Sequence, residues 1–252
     1  MLIILENEGG TESRAVRMAS MLSADIRVSN ATLAGLEGHQ EALLAGALPV
    51  GTVAFVQRAM ALAGMVEPGN LSYPLEARRY LKRKLWHTTA CRALSAPGKR
   101  FIKSAATKLF TGFVLDAKVG VAGLNAHDKL QFEALCQLPA ETPVWVSEPV
   151  DWVSEYRYYI QDAEIIGYAR YDQGDAEVVP EPNPVVVKLC ILGLQIRHPY
   201  VLDMGVIASE ETAMVEVNDA WAIGLYAGAL QPRQYVEFLA TRWESLRNRI
   251  VI

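Results

Sequence analysis

The chain has 252 residues, 51% of them hydrophobic and 21% charged, a composition that argues against large-scale disorder and leaves room for one large or two modest domains. A formal net charge of −4 gives no ground for a general affinity for nucleic acid. Three cysteines (Cys91, Cys136, Cys190) and four histidines (His39, His87, His127, His198) are scattered, which argues against a disulfide framework or a His/Cys metal centre and places the chain in a reducing cytoplasm.

Leu2 to Leu5 is read as a buried strand and not as a signal peptide, because it lacks a basic lead and stops at Glu6. A Gly9-Gly10 turn follows, then a helix with Ala15, Met18, Ala19 and Leu22 on one face. After Pro49-Val50-Gly51, Thr52 to Val56 is predicted as a strand and Gln57 to Ala63 as a helix. A Pro/Gly/Asn-bearing connection, Val66 to Pro74, leads to a basic helix predicted over Leu75 to Leu94. The Ser95-Ala96-Pro97-Gly98 break marks a domain boundary, giving an amino-terminal α/β domain (1–96) and a second domain (97–252).

Beyond the break, Arg100 to Lys103 and Gly112 to Asp116 read as strands around a loop of small residues, 104–111. A helix over His127 to Leu138 is expected to bury Leu130, Ala134, Leu135 and Leu138. Strands follow at Pro143 to Ser147, Tyr156 to Gln161 and Glu164 to Tyr171, the last two joined at Asp162-Ala163. Asn183-Pro184 caps a helix running to about Gln195, whose Val185 to Ile196 run is interrupted by Lys188 and Gln195 and is too short for the ~20 residues of a membrane span. Strands at Tyr200 to Ile207 and Ala213 to Val217 precede a last helix carrying Tyr235, Phe238, Leu239, Trp243 and Leu246 at helical spacing. The fold class is mixed α/β (α+β) with antiparallel hairpins in the carboxy-terminal part. Glu8-Gly9-Gly10 is no dinucleotide fingerprint, and Pro97-Gly98-Lys99-Arg100 is no P-loop.

Three groups of residues carry chemistry. Lys103 closes an apolar strand, and Lys108 follows a loop of small residues; backbone N–H groups and two ammonium charges there suit a triphosphate, whereas alone each lysine reads as a surface residue. Between Ala77 and Leu115 there is no Asp or Glu, while Lys and Arg recur, a one-signed segment that would attract an anion or simply form a solvated face. The strand through Val146, leading past Glu148 to Val150, offers backbone groups to an adenine edge, and Glu155 could accept from ribose hydroxyls with Arg157 on the same face; the alternative is an exposed hairpin salt bridge. Asp203 lies mid-strand, and Glu216 and Asn218 alternate onto one face of the next strand. If the strands pair, three oxygen donors converge without His or Cys, which suits Mg²⁺; the alternative is a solvated acidic edge.

The run Tyr200-Val201-Leu202-Asp203-Met204-Gly205-Val206, with Glu216-Val217-Asn218-Asp219 thirteen residues beyond Asp203, the lysine strand with its loop, and the Glu148/Glu155 pair together resemble the ATP-grasp superfamily. Arg157 beside Glu155 and the string from Asn218 to Tyr226 resemble more specifically the divergent clade that includes the eukaryotic cell-division-cycle factor which assembles a translation initiation factor. The resemblance runs from about Lys99 to Gly228. It implies an ATP-grasp fold behind an amino-terminal α/β pre-ATP-grasp domain, with two α+β subdomains meeting near 147–152, and it implies ATP and Mg²⁺ as cofactors. Lys103 and Lys108 would contact phosphates; Glu148, with the backbone from Val146 to Val150, would hold adenine and Glu155 the ribose. Arg157 would face the γ-phosphate, so that Arg157 and Lys108 would be catalytic, and Asp203, Glu216 and Asn218 would ligate Mg²⁺. Two departures stand out: Val201 occupies a position where many of these ligases carry arginine, and no glycine-rich omega loop is recognisable between Asp219 and Gly228.

The expected activity is an ATP-dependent ligation of a carboxylate to an amine through an acyl-phosphate, the acceptor being a small metabolite, a peptide or a protein. A nucleotide-binding assembly protein with little turnover is the alternative. Nucleic-acid binding by the basic segment is disfavoured, since only Tyr80 and Trp86 interleave with its charges.

Overall fold

The structure is a computed structural model and describes residues 1–106, 109–172, 174 and 178–248. The chain begins with strand β1 (Leu2–Glu6), helix α1 (Thr11–Leu22), β2 (Arg27–Ala31), α2 (Gln40–Leu44), β3 (Leu48–Val50) and α3 (Val53–Leu62). The three strands form a parallel sheet in the order β2-β1-β3. Parallel strands are buried on both faces, which is why β1 is a continuous apolar run.

Two predicted elements here take other forms. Residues 52–56 are not a strand: the Thr52 hydroxyl accepts from the Phe55 N–H at 3.3 Å and caps α3, which buries Phe55, Val56, Ala59 and Met60 on one helical face. On α1 the buried stripe is Ala15, Val16 and Ala19, and Met18 and Leu22 stand in solvent.

The predicted basic helix over 75–94 is also absent. A single 3₁₀ turn (Leu75–Tyr80) ends at Lys82, whose φ of 53° cannot continue a helix. β4 (Leu85–Thr89) and the short α4 (Ala90–Ser95) follow. The β-forming residues Trp86, Thr88 and Thr89 and the partner strand β7 (Pro143–Ser147) outweigh the helical charge pattern. Between α4 and β7 come β5 (Lys99–Ser104), β6 (Phe113–Asp116) and α5 (Ala126–Cys136). Sheet order is β4-β7-β5-β6, all antiparallel. The boundary expected at 96/97 thus falls between α4 and β5, with β4 on its amino-terminal side pairing across it to β7. Ile102, Phe113, Val144 and Val146 fill the core of this sheet with Leu135 of α5, whereas Leu130, expected inside, is 62% exposed.

Residues 148–151 connect β7 to a third sheet, built from β8 (Trp152–Gln161), β9 (Glu164–Arg170), β10 (Tyr200–Ile207) and β11 (Thr212–Asp219) in the order β11-β10-β8-β9. Helix α6 (Pro184–Leu194), capped by the Asn183 side chain, covers one face, against Tyr158, Ile160, Leu202 and Met204. The other face carries Arg157, Tyr159, Val201 and Asp203. Helix α7 (Pro232–Arg247) buries all five apolar residues predicted for it and packs into one core with the amino-terminal sheet, Tyr159 and Val201. Each such fully buried large side chain contributes roughly 1.5–3 kcal/mol relative to exposure. No helix among the described residues is long and apolar enough to cross a membrane.

Candidate functional site

A cavity of about 450 Å³ opens between the two four-stranded sheets. Phe101 and Lys103 enter it from β5, because alternation sends Arg100, Ile102 and Ser104 to the opposite, buried face. Glu155 enters from β8, and Glu216 and Asn218 from β11. Glu148 and Val150 of the connection line it too, as does Trp152 at the start of β8.

The register of β10 and β11 sets the acid group. Asp203 lies opposite Glu216, and Val201 opposite Asn218, so all three polar residues share one face. A bulge follows: Met204 pairs with Met214, leaving Val215 unpaired. That extra residue lets Met214 and Val217, three apart, both reach the apolar core while Glu216 and Asn218 keep the cavity face. Arg83 closes the bulge by donating to the carbonyls of Met214 (2.7 Å) and Val215 (2.9 Å). Burial lowers its pKa, countered by Tyr73 beside it.

Each acid faces a cation. Asp203, 1% exposed, accepts both ends of the Arg157 guanidinium, Nε at 2.8 Å and Nη2 at 2.7 Å. Burial alone would favour neutral Arg157, but the Asp203 carboxylate outweighs it and holds the guanidinium firmly charged. The Arg157 Cζ also lies 5.7 Å from the ring centre of Tyr171 and 5.1 Å from that of Tyr226. Glu216 is ion-paired with the Lys103 ammonium, their side chains 20% and 18% exposed, and that ammonium lies 5.6 Å from the Tyr73 ring centre. The Asn218 amide is 3.5 Å from Asp203 Oδ2. Glu155 accepts from the Tyr171 hydroxyl at 3.2 Å; its pKa is raised, chiefly by burial.

The structure thus brings Lys103, Glu148, Val150, Glu155, Glu216 and Asn218 to one cavity. Arg157 and Asp203 stand behind it as a buried pair. Val146 departs from its expected place: its side chain is 1% exposed in the core beside Ile102, and its backbone lies between β4 and β5. Glu148 faces outward on the connection, where its carboxylate accepts from the Lys84 backbone N–H at 3.0 Å. Lys108 lies outside the described residues.

Sequence reasoning missed one whole wall. Gly69, Asn70, Ser72 and Tyr73 line the cavity from the connection before the 3₁₀ turn, and Arg83 from just after it. Asn70 donates to Ala105 O at 3.1 Å, tying this wall to the loop of small residues, and Ser72 O accepts from Val217 N at 3.0 Å. Arg83 stood in the basic run, but nothing in its spacing separated it from solvated neighbours. A second buried pair, Arg242 with Asp219 at 2.7 and 2.5 Å, anchors the end of β11 immediately after Asn218.

Asp203, Glu216 and Asn218 offer two carboxylates and an amide, oxygen donors of the kind Mg²⁺ takes. Glu216 and Asn218 fit such an ion at the cavity wall, whereas Asp203, as placed, serves Arg157 with both oxygens. Among the described residues no group of three His, Cys, Asp or Glu side chains is arranged to hold a metal.

The comparisons agree with this architecture. The chain is similar in structure to the D-alanine–D-alanine ligase of Bacillus anthracis, with a TM-score of 0.53 at 12% identity over 99% of both chains. The same enzyme complexed with ATP gives 0.51 at 14% identity, over 99% of this chain and 98% of that one. N5-carboxyaminoimidazole synthetase of Staphylococcus aureus gives 0.55 at 8% identity, over 95% of this chain and 77% of that one. At such identities the likeness establishes the fold, an α+β ATP-grasp fold. No curated protein matches the sequence. A family model for an ATP-grasp domain, the second family of its clade, matches residues 80–238, the span that builds both four-stranded sheets and the cavity between them. The chain therefore belongs to the ATP-grasp superfamily, in that second clade family.

Proposed function

We propose that the protein is an ATP- and Mg²⁺-dependent carboxylate–amine ligase. The observation that carries this reading is the convergence of Lys103, Glu155, Glu216 and Asn218 on one cavity between the two sheets of an ATP-grasp chain. Adenine would lie along the connection at Glu148–Val150, the ribose at Glu155, and the phosphates toward Lys103, with Lys108 sharing their charge. Glu216 and Asn218 would hold Mg²⁺, which would neutralise phosphate charge and align the γ-phosphoryl group; Asp203 would join them if Arg157 turned to the γ-phosphate. A carboxylate oxygen of the substrate attacks the γ-phosphorus and the β–γ bridging bond breaks, releasing ADP. An amine then attacks the acyl carbon, phosphate leaves, and the amine loses a proton. Positioning and charge neutralisation are the protein's main contributions to such chemistry.

The amino-terminal unit, about residues 1–96, is proposed as a pre-ATP-grasp domain facing the acceptor side, with residues 97–252 forming the nucleotide-binding part in a cytoplasmic enzyme. A peptide or protein acceptor is included in the proposal. Nucleic acid is not, because the basic segment is partly structural: Arg100, 2% exposed, donates to the carbonyls of Ala93, Leu94 and Gly98. One observation favours the alternative, a nucleotide-binding assembly protein like the initiation-factor clade: the acids Asp203 and Glu216 are both paired with protein cations.

Calorimetric titration of ADP and a non-hydrolysable ATP analogue, with and without Mg²⁺, on wild type and Glu216→Ala tests the nucleotide site. Mg²⁺-dependent binding that the variant loses is the expected result. No binding by folded wild-type protein would remove the functional assignment. ADP release that rises strongly with one acid and amine pair separates ligase from assembly protein.

A further inference from the structure

Glu155 is held differently from the other acids of the cavity. Its backbone N–H donates to Asp172 Oδ2 at 3.0 Å. Its carbonyl accepts from the Tyr171 N–H at 2.9 Å. Its carboxylate accepts from the Tyr171 hydroxyl at 3.2 Å. Two consecutive residues just past the end of β9 therefore grip one residue on three sides. Asp172 is itself fixed, accepting from Arg170 Nε at 2.7 Å and from the Gly174 N–H at 3.0 Å. A single buried carboxylate on a strand would otherwise keep its side-chain rotamers.

We propose that Tyr171 and Asp172 are positioning residues that fix the Glu155 carboxylate for two-point recognition of a vicinal diol, the 2′- and 3′-hydroxyls of the nucleotide's ribose. This rests on the reading of Glu155 as the ribose acceptor. A carboxylate has two oxygens and accepts only, so a diol donating to both is its natural two-point partner. The Tyr171 hydroxyl occupies Oε1 from behind and restricts rotation about the last bond of the side chain, the motion that would misalign a two-point contact. The ring of Tyr171 has a separate task. It stacks on Tyr226, centroids 5.1 Å apart at 14°, and this pair lies beside the Arg157 guanidinium. Hydroxyl and ring can therefore be tested apart.

The experiment compares the dissociation constants of ADP and 2′,3′-dideoxy-ADP, both with Mg²⁺, for wild type, Glu155→Gln, Tyr171→Phe and Asp172→Ala. Circular dichroism melts serve as the control for folding. Wild type should prefer ADP by about 30-fold or more, since hydrogen bonds to a charged group are the strong kind, and Glu155→Gln should lose most of that preference. Tyr171→Phe should lower the preference about fivefold, mainly through weaker ADP binding, and Asp172→Ala should lower it in the same sense. A general loss of packing would weaken both nucleotides equally and leave the ratio unchanged. If Glu155→Gln loses the preference while folded Tyr171→Phe and Asp172→Ala keep it, the positioning role is wrong and the ribose role stands. If wild type shows no preference, or Glu155→Gln keeps it, the ribose reading fails and the proposal with it.

Discussion

The pairing of Lys103 with Glu216 leads to a prediction with an unusual sign. Replacing Glu216 with Gln should strengthen nucleotide binding in the absence of Mg²⁺, although Glu216 is a proposed metal ligand. In the free protein the Lys103 ammonium is engaged by the Glu216 carboxylate, and both side chains are about one-fifth exposed. Phosphates arriving without a metal meet a cation already neutralised and an anion that repels them. Two unit charges about 8 Å apart interact by about 2 kcal/mol at an effective dielectric constant near 20. Deleting that repulsion and releasing Lys103 corresponds to about 30-fold in affinity, reduced toward tenfold by solvent screening of partly exposed groups. With Mg²⁺ present the order reverses, because the wild-type carboxylate gains a metal partner and the amide does not. Titration of ADP in EDTA and in Mg²⁺ on both proteins reads the two signs. Mg²⁺-free affinity that is unchanged or weaker in Glu216→Gln would refute the idea that the pair competes with phosphate.

Arg242→Met should destabilise the fold by about 3–5 kcal/mol in urea denaturation, because it strands the buried Asp219 carboxylate, and the double variant with Asp219→Leu should recover much of the loss. Gly205→Ala should cost about 1–3 kcal/mol and weaken ADP binding, since a Cβ there would sit 2.5 Å from Ser154 O and 2.6 Å from the Trp152 ring, pushing on the strand that carries Glu155. Glu155 has a raised pKa, first because of burial, with Asp203 and Asp172 adding to it and Tyr171 and Arg83 opposing it. An acid whose folded pKa is raised binds its proton more tightly when folded, so its contribution favours the fold at low pH and turns against it as pH rises through the folded value. Glu155→Gln should therefore raise the melting temperature of the free protein at pH 7–8, by about 2–4 °C for each kcal/mol gained, and bring no gain near pH 4. A larger gain at pH 4 than at pH 8 would reverse the assignment.

Most of the second half of this fold was legible because its signals are local. The Asp162-Ala163 turn, both residues at positive φ, joins β8 to β9 as its polarity and flanking alternation indicate. Asn183-Pro184 caps α6, and the apolar spacing of α7 predicts every buried contact assigned to it. The first half was less legible where a competing interaction was distant in sequence. Thr52 and Val56 are β-branched, yet a cap and a buried helical face decide their state. Residues 85–89 carry the charge pattern of a helix flank, yet pairing with a strand nearly sixty residues away makes them β4.

The site shows the same division at finer scale. Alternation alone puts Glu216 and Asn218 on one face, and it would put Met214 there too. The bulge at Val215 releases Met214 to the core, and it exists because Arg83, more than 130 residues earlier, takes up the two carbonyls it exposes. No pattern within β11 encodes that. Likewise, side-chain parity placed Arg157 with Glu155 and Asp203 with Glu216, and the register confirms both faces. Parity does not tell which acid meets which cation. Since Arg157 lies directly opposite Asp203 on the neighbouring strand, the bidentate pair follows from register, and the metal group and the phosphate group are each other's partners in the free protein. A site built in that way holds its charges without leaving any of these four buried or half-buried groups unpaired, and MgATP is a ligand that can replace both partners at once: metal for the acids, phosphate for the cations. Mg²⁺ alone or nucleotide alone satisfies only half of the exchange, which is why the sign reversal of Glu216→Gln, more than the size of any single affinity, is the signature that this arrangement should leave.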